Sequence, residues 1–345
     1  MADVFISYHR SDSASALVRR IVGELEGMGI SCWYDTKDPK LGYFTDTITH
    51  EIEQCKVFLL LWDEGANESR YCISETHYAF TYAKSALIVP FQIGEFERNR
   101  KLSLYTGPYQ IIFDTDELIN KIATKLGKCG ECGEYGGHVT YMLDKSGLTI
   151  SGNGPMRDFE WDREKNTCNT PWWDERKTIF RAQILNGVTS VGYNAFFGCK
   201  ELISVKIPDS VKYIETGAFQ YCERLAHVDI PDSVTSIGDY AFKGCVNLAS
   251  VDIPDSVTSI GNHAFKDCLS LASIDIPDNV IYIGNYSFSN CVRLTSVDIS
   301  DSVTYIGEYA FDGCVNLKRA SVPAEAIINA PAFPLATNVI RRPKK

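Results

Sequence analysis

Glu75 follows Tyr71 by four residues in Tyr71-Cys-Ile-Ser-Glu75, a spacing that puts a ring and a carboxylate on one face of a helix. Such a carboxylate can stabilise developing positive charge, and the ring can stack on a flat ligand. Taken alone, a helical glutamate is most simply solvated and a tyrosine most simply packed. Near the start of the chain, Tyr8 ends the apolar run Asp3-Val-Phe-Ile-Ser-Tyr8, and Arg10 just beyond it is able to grip a phosphate. Cys129 and Cys132 form a CxxC, with His138 and Cys168 further on. Zinc would need all four at an unusual spacing, and a plain turn is the simpler reading, so no metal is expected. Neither G-x-G-x-x-G nor a P-loop follows any strand-like run, which argues against an ordinary dinucleotide fold or NTPase.

The elements that must hold these residues alternate. Asp3–Tyr8, Ile30–Tyr34, Val57–Trp62, Ala86–Ile93 and Tyr109–Phe113 read as five strands. Leu17, Ile21, Leu25 and Met28 mark one helix face, with Ser11 to Ser13 as cap candidates, and Ile48, Ile52 and Cys55 mark another. A last amphipathic helix spans Asp116–Leu126. Strands alternating with helices imply a parallel sheet covered on both faces, here a five-stranded flavodoxin-like α/β unit over residues 1–126. Ligands in such sheets bind beyond the carboxyl ends of the strands.

The rest of the chain repeats itself. Cys199, Cys222, Cys245, Cys268, Cys291 and Cys314 recur every 23 residues, and the phenylalanine series Phe196 to Phe311 and the leucine series Leu202 to Leu317 keep the same step. One unit is too small to bury a core, so stacked units must share one. In Ser250-Val-Asp-Ile253, Val251 and Ile253 point inward and Asp252 outward, while Gly261 suits a turn needing positive φ. The cysteine column reads as a row of buried small hydrophobes rather than disulfides. The unit resembles the BspA-like leucine-rich repeats, a mainly-β solenoid. Residues 127–186, with Pro171-Trp-Trp173, resemble that class's N-terminal cap. Residues 187–335 are the repeats, closed by Pro331, Phe333 and Pro334, and 336–345 form a short basic, solvated tail.

Asp229, Asp252, Asp275 and Asp298 fall at equivalent outward positions, with Asp232, Asp255, Asp278 and Asp301 close by. Residues 187–340 hold nine Lys/Arg against seventeen Asp/Glu. Such a stripe must be solvated or matched by something basic, and either solubility or a basic partner accounts for it.

Composition narrows the function. With 45% hydrophobic and 23% charged residues, a packed globular protein is expected rather than a disordered one. A net charge of −10 argues against nucleic-acid backbone binding. The longest apolar runs fall far short of the roughly 20 residues of a membrane helix, and no signal-like segment opens the chain, so a cytoplasmic protein without membrane contact is expected.

Several motifs of the first unit occur together in one family. Asp3-Val-Phe-Ile-Ser-Tyr-His-Arg10 resembles the first box of Toll/interleukin-1 receptor (TIR) domains. Trp33-Tyr-Asp-Thr-Lys-Asp-Pro-Lys-Leu-Gly-Tyr-Phe44 resembles their second strand and following loop, and Tyr71 to Glu75 matches the aromatic-x-x-x-Glu of their catalytic helix. The family includes NAD-cleaving enzymes and non-enzymatic adaptors. The resemblance implies Glu75 as the catalytic residue, with Tyr71, Tyr8, Arg10, Asp35 and Phe44 around the substrate. It implies NAD+ as substrate with no cofactor, an active form that is a homo-oligomer through the TIR domain, and an unidentified protein or other ligand on the repeats. The alternative is a non-enzymatic adaptor or virulence protein that binds other TIR domains.

Overall fold

The computed structural model describes residues 2–34, 46–83, 85–98, 100–134 and 138–343. The chain divides into two compact units, residues 1–129 and 130–345. Among the described residues no helix is long and apolar enough to cross a membrane.

The first unit alternates β1 (Val4–Tyr8), α1 (Asp12–Gly27), β2 (Cys32–Tyr34), α2 (Asp46–Gln54), β3 (Val57–Trp62), α3 (Glu64–Glu68), α4 (Arg70–Tyr82), β4 (Leu87–Gln92), α5 (Arg100–Thr106) and α6 (Thr115–Lys125). The strands form one parallel sheet in the order β2-β1-β3-β4. Alternate residues feed two cores, because successive strand side chains point to opposite faces. Val4, Ile6, Leu59 and Leu61 pack with Val18, Ile21, Leu118 and Ile122 of α1 and α6. Phe5, Phe58, Leu60 and Trp62 pack with Ile52, Cys72, Ala79 and Leu102 of α2, α4 and α5. Ser11 caps α1, accepting from the Ala14 N–H at 3.2 Å.

The expected fifth strand at Tyr109–Phe113 is reduced to a single bridge, Phe91 with Ile112. Pro90 explains the loss. Its carbonyl accepts from the Ile112 N–H at 3.0 Å, and the Gln92 N–H reaches the Ile112 carbonyl at 2.9 Å. Pro90 has no N–H to offer on that same edge, so the ladder cannot extend back along the fifth segment.

The second unit opens with the antiparallel hairpin His138–Asp144 and Gly147–Pro155. Trp172 is buried beside it, with its ring edge-on to Tyr141 and Phe159 and its indole N–H on the Ala195 carbonyl at 3.0 Å. Short parallel strands then stack. Ser236 pairs with Ser259, Ser259 with Tyr282, and Tyr282 with Tyr305, each partner 23 residues on. Phe196, Phe219, Phe242, Phe265, Phe288 and Phe311 are fully buried, with neighbouring ring centres 5.0–5.4 Å apart, and Phe333 continues the column at 5.0 Å. Each such ring contributes about 1.5–3 kcal/mol by burial.

Gly261 does not have the positive φ expected of it. Together with Gly238, Gly284 and Gly307 it lies where a Cβ would stand 2.5–2.7 Å from a backbone nitrogen of the preceding rung, so close approach of rungs demands glycine. The left-handed turn falls two residues later, at Tyr240, His263, Tyr286 and Tyr309, with φ of 55–58°. These rings stack at 4.6–4.9 Å, which offsets the backbone cost. Within the expected tail, Asn338–Arg341 is a solvent-exposed strand paired with Arg319–Val322.

All twelve cysteines are free thiols. In the column, Cys222, Cys245, Cys268, Cys291 and Cys314 each donate to a phenylalanine carbonyl 26 residues back, at 3.1–3.4 Å. Burial pushes the Cys199 and Cys245 thiols up to about 12 and holds Cys222, Cys268 and Cys291 well above the ordinary range. Among the described residues no group of three or more His, Cys, Asp or Glu is placed to hold a metal.

Both columns can be tested in solution. A thiol-reactive dye at pH 8 should quickly modify only the half-buried Cys129, while Cys32, whose thiol burial pushes up to about 12, and the ten buried thiols react fast only after denaturation. Rapid native labelling of the repeat thiols would contradict the column. Burial first, then Lys266 and Lys243, lowers the pKa of His263 below its ordinary 6.5. The unfolded chain therefore takes up the proton first, and stability falls as pH drops through that value. His263→Tyr, which matches the neighbouring rungs, should raise Tm more at pH 5.5 than at pH 8. An equal gain at both would show that the imidazole's charge is not involved.

Candidate active site

α4 builds the site from a helix pattern with one exception in it. Ser69 caps the helix, accepting from the Cys72 N–H at 3.3 Å. The buried stripe then runs Cys72, Glu75, Thr76 and Ala79, the spacing of a core-facing helix side. Glu75 thus occupies a position where an apolar residue is the rule, and only 8% of it is exposed. A carboxylate there needs a donor. Ser7, itself 1% exposed, supplies it from β1, its hydroxyl donating to Glu75 Oε2 at 2.5 Å. Ser7 is the one polar residue among the four buried positions of β1, and it shares the α4-facing side of the strand with Phe5. Burial pushes the neighbouring Cys72 thiol up to about 12, the hydroxyls of Ser69 and Ser7 oppose the shift, and the Glu75 charge adds to it.

Tyr71 lies one turn before Glu75 and is 47% exposed. Tyr8, half-buried, and Arg10, exposed, follow Ser7 directly. The Ser7–Glu75 hydrogen bond therefore joins the two segments that carry four of the predicted site residues, Tyr8, Arg10, Tyr71 and Glu75. Asp35 and Phe44 lie outside the described residues. Trp33 and Trp62 are core residues, Trp33 stacking on Phe5 at 4.7 Å and Trp62 being fully buried.

Asp63 fixes the segment that carries Arg10, a role that the residue order alone did not suggest. It caps α3, accepting from the Ala66 N–H at 2.8 Å, and accepts from the Ser11 hydroxyl at 2.9 Å. His9 Nδ1 stands 3.7 Å from the same carboxylate, and its ring lies where a Cβ on Gly65 would be, 2.1 Å away. The signal for Ser7 was a hydroxyl inside an apolar strand. For Asp63 it was an acid at the end of Val57–Trp62, the usual composition of a helix cap. A separate cavity of about 300 Å3 at the end of β3 is lined by Trp62, Arg98, Ser103, Thr106, Tyr109 and Ile111, and none of the predicted site residues borders it.

The repeats carry a second polar feature. Asp229 pairs in register with Asp252, and Asp275 with Asp298, so like charges lie side by side. The chain itself supplies a match at one end. Arg342 donates to Asp301 at 2.8 Å and to Ser321 Oγ at 3.1 Å, and it also bonds Asp298 and the Ile299 carbonyl. A cavity of about 480 Å3 lies beside it, lined also by Asp275, Asp278 and Ser300.

Comparison with known families agrees with both units. Residues 4–122 match the TIR domain model, and residues 175–274 and 213–339 match the BspA type leucine rich repeat region, in six copies. The protein therefore carries an N-terminal TIR domain with a four-stranded parallel sheet, followed by BspA-type leucine-rich repeats. A leucine-rich repeat protein of T. pallidum is 26% identical, with 51% of this chain and 86% of that one covered and a TM-score of 0.41. One from Bacteroides ovatus is 24% identical, with 59% and 69% covered and a TM-score of 0.36. The TIR domains of the activated Roq1 resistosome are 16% identical, with 36% and 79% covered and a TM-score of 0.27. No curated protein matches the chain.

Asp63→Ala removes a helix cap and the acceptor of Ser11 together, and should cost about 1–3 kcal/mol in denaturant unfolding of the first unit. A loss below about 0.5 kcal/mol would show that the β1–α1 segment is held by other contacts.

Proposed function

We propose that the protein cleaves NAD+ at its N-glycosidic bond, releasing nicotinamide and yielding ADP-ribose or a cyclic form of it. The observation that carries this reading is the carboxylate of Glu75, buried on the matching helix of a TIR domain and held near the carboxyl end of β1. The nicotinamide of NAD+ is cationic and departs neutral, so no separate general acid is needed. What the protein must do is stabilise the oxocarbenium-like ribose left behind, and one fixed carboxylate does this by charge and by holding ribose hydroxyls. Water then attacks the ribose carbon to give ADP-ribose, or a nucleophile of the adenine closes the ring. Tyr71 stacks on a flat ring of the substrate, Arg10 holds a phosphate, and Tyr8, Asp35 and Phe44 shape the same site.

Activity in this reading depends on self-association through the TIR domain, with binding at the repeats shifting the equilibrium towards the assembled form. The exposed apolar side chains of α4 and α5, Phe80, Tyr82 and Leu104, support such contacts. The same exposed side chains also fit the second reading, a docking protein without turnover.

Concentrated protein, with and without a crowding agent, is incubated with NAD+ and nicotinamide is followed by chromatography. Turnover is expected in the assembled protein, and Glu75→Gln should lower it by about 10²–10³-fold. No nicotinamide from assembled protein, or equal release by Glu75→Gln, would leave the docking reading in place.

A further inference from the structure

We infer that Ser7 is the positioning residue of the site, fixing the Glu75 carboxylate through its hydrogen bond to Oε2. The inference rests on the proposed NAD+ cleavage only for its kinetic consequence, because the hydrogen bond itself is a feature of the fold.

Two positions in different elements break their own patterns and meet. On α4, Glu75 falls within a buried stripe otherwise made of Cys72, Thr76 and Ala79. On β1, Ser7 falls in a strand whose other buried residues are Val4, Phe5 and Ile6. A serine alone at position 7 would leave a hydroxyl in an apolar layer, and a glutamate alone at position 75 would leave a charge there. Together, at 2.5 Å, they form a charge-assisted bond of the short O–H···O⁻ type. β1 sits between β2 and β3 in the sheet, and α4 packs on it, its Cys72 and Ala79 sharing a core with Phe5 of β1. A carboxylate bonded from a central strand has its position fixed, which a transition-state stabiliser requires. Ser7 does not touch substrate in this arrangement and acts only through Glu75.

Among the described residues, Cys72 and Asp63 are titratable groups close to the pair. Cys72, with its thiol near 12, stays protonated across the working range, and Asp63 at the start of α3 is the carboxylate that acts with Glu75 on that same thiol.

The test compares wild type, Ser7→Ala and Ser7→Thr in full-length protein. Nicotinamide release by assembled protein is one readout, and the pH titration of the Glu75 carboxyl carbon, by NMR of protein with 13C-labelled glutamate, is the other. Ser7→Ala should lower kcat by about 10- to 100-fold with KM within about twofold, since a bond to a charged group is lost away from the substrate. Removing a donor to the charged form should also move the Glu75 titration to higher pH. Ser7→Thr, which keeps the hydroxyl, should stay near wild type in both. A Glu75 titration unchanged in Ser7→Ala overturns the inference whatever the turnover. A shifted titration in a protein that never cleaves NAD+ upholds the Ser7–Glu75 pairing and removes the enzymatic reading instead. Where Ser7→Ala alone is too unstable, it is introduced into Glu75→Gln. Much less destabilisation there than in wild type supports the pairing, and equal destabilisation refutes it.

Discussion

A carboxylate placed on the core-facing side of a helix is tolerated only where something donates to it, and that constraint organises the first unit around Ser7 and Glu75. The bond joins β1 to α4, and with them the segments that hold Tyr8, Arg10 and Tyr71. Ordinary packing does the rest. Phe5 and Phe58 stack at 5.5 Å beneath the same helix, so α4 cannot slide without disturbing the core. Asp63 has the corresponding role on the adjacent strand, tying the end of β3 to the start of α1.

The solenoid answers a different constraint, the narrow spacing of its rungs. Adjacent strands in a sheet lie ~4.8 Å apart, and side chains at equivalent positions must stack at about that distance. Flat rings satisfy it, which accounts for the phenylalanine column in the core and the Tyr–His–Tyr–Tyr column at the turns. Small thiols satisfy it by bonding across rungs to phenylalanine carbonyls. Like charges satisfy it worst, and the aspartates on the outer strands stay exposed to water, Asp298 included although Arg342 reaches it.

Much of this was legible in residue order. The 23-residue step gave the stacked unit, and the ordered TIR-like motifs gave the first. Helix faces such as Leu17, Ile21 and Leu25 were readable because their period is local. What escaped depended on neighbours distant in sequence. Gly261 read as a turn residue because positive φ is the familiar reason for glycine, whereas its actual reason, a backbone nitrogen at 2.6 Å, belongs to the rung before. The fifth strand read well as an apolar run, but its pairing was decided by Pro90 on another strand. Ser7 escaped because its partner lies 68 residues away. The basic tail escaped because Arg342 finds its carboxylates 41 and 44 residues upstream.

Arg342 also makes part of the hold on the far end of the solenoid sensitive to salt. The final strand, Asn338–Arg341, is exposed along its whole length and lacks an apolar anchor of its own. Its attachment rests on the ladder to Arg319–Val322, on the Arg341 guanidinium bonded to the carbonyls of Pro323, Ala324 and Ala326, and on the Arg342 guanidinium clasping two aspartates. Coulombic fastening of that kind weakens as dissolved ions shorten the reach of charge, to about 3 Å at 1 M ionic strength. In brine, therefore, the Arg342 clasp loosens, while the backbone ladder and the stacked rings that hold the same end are left in place.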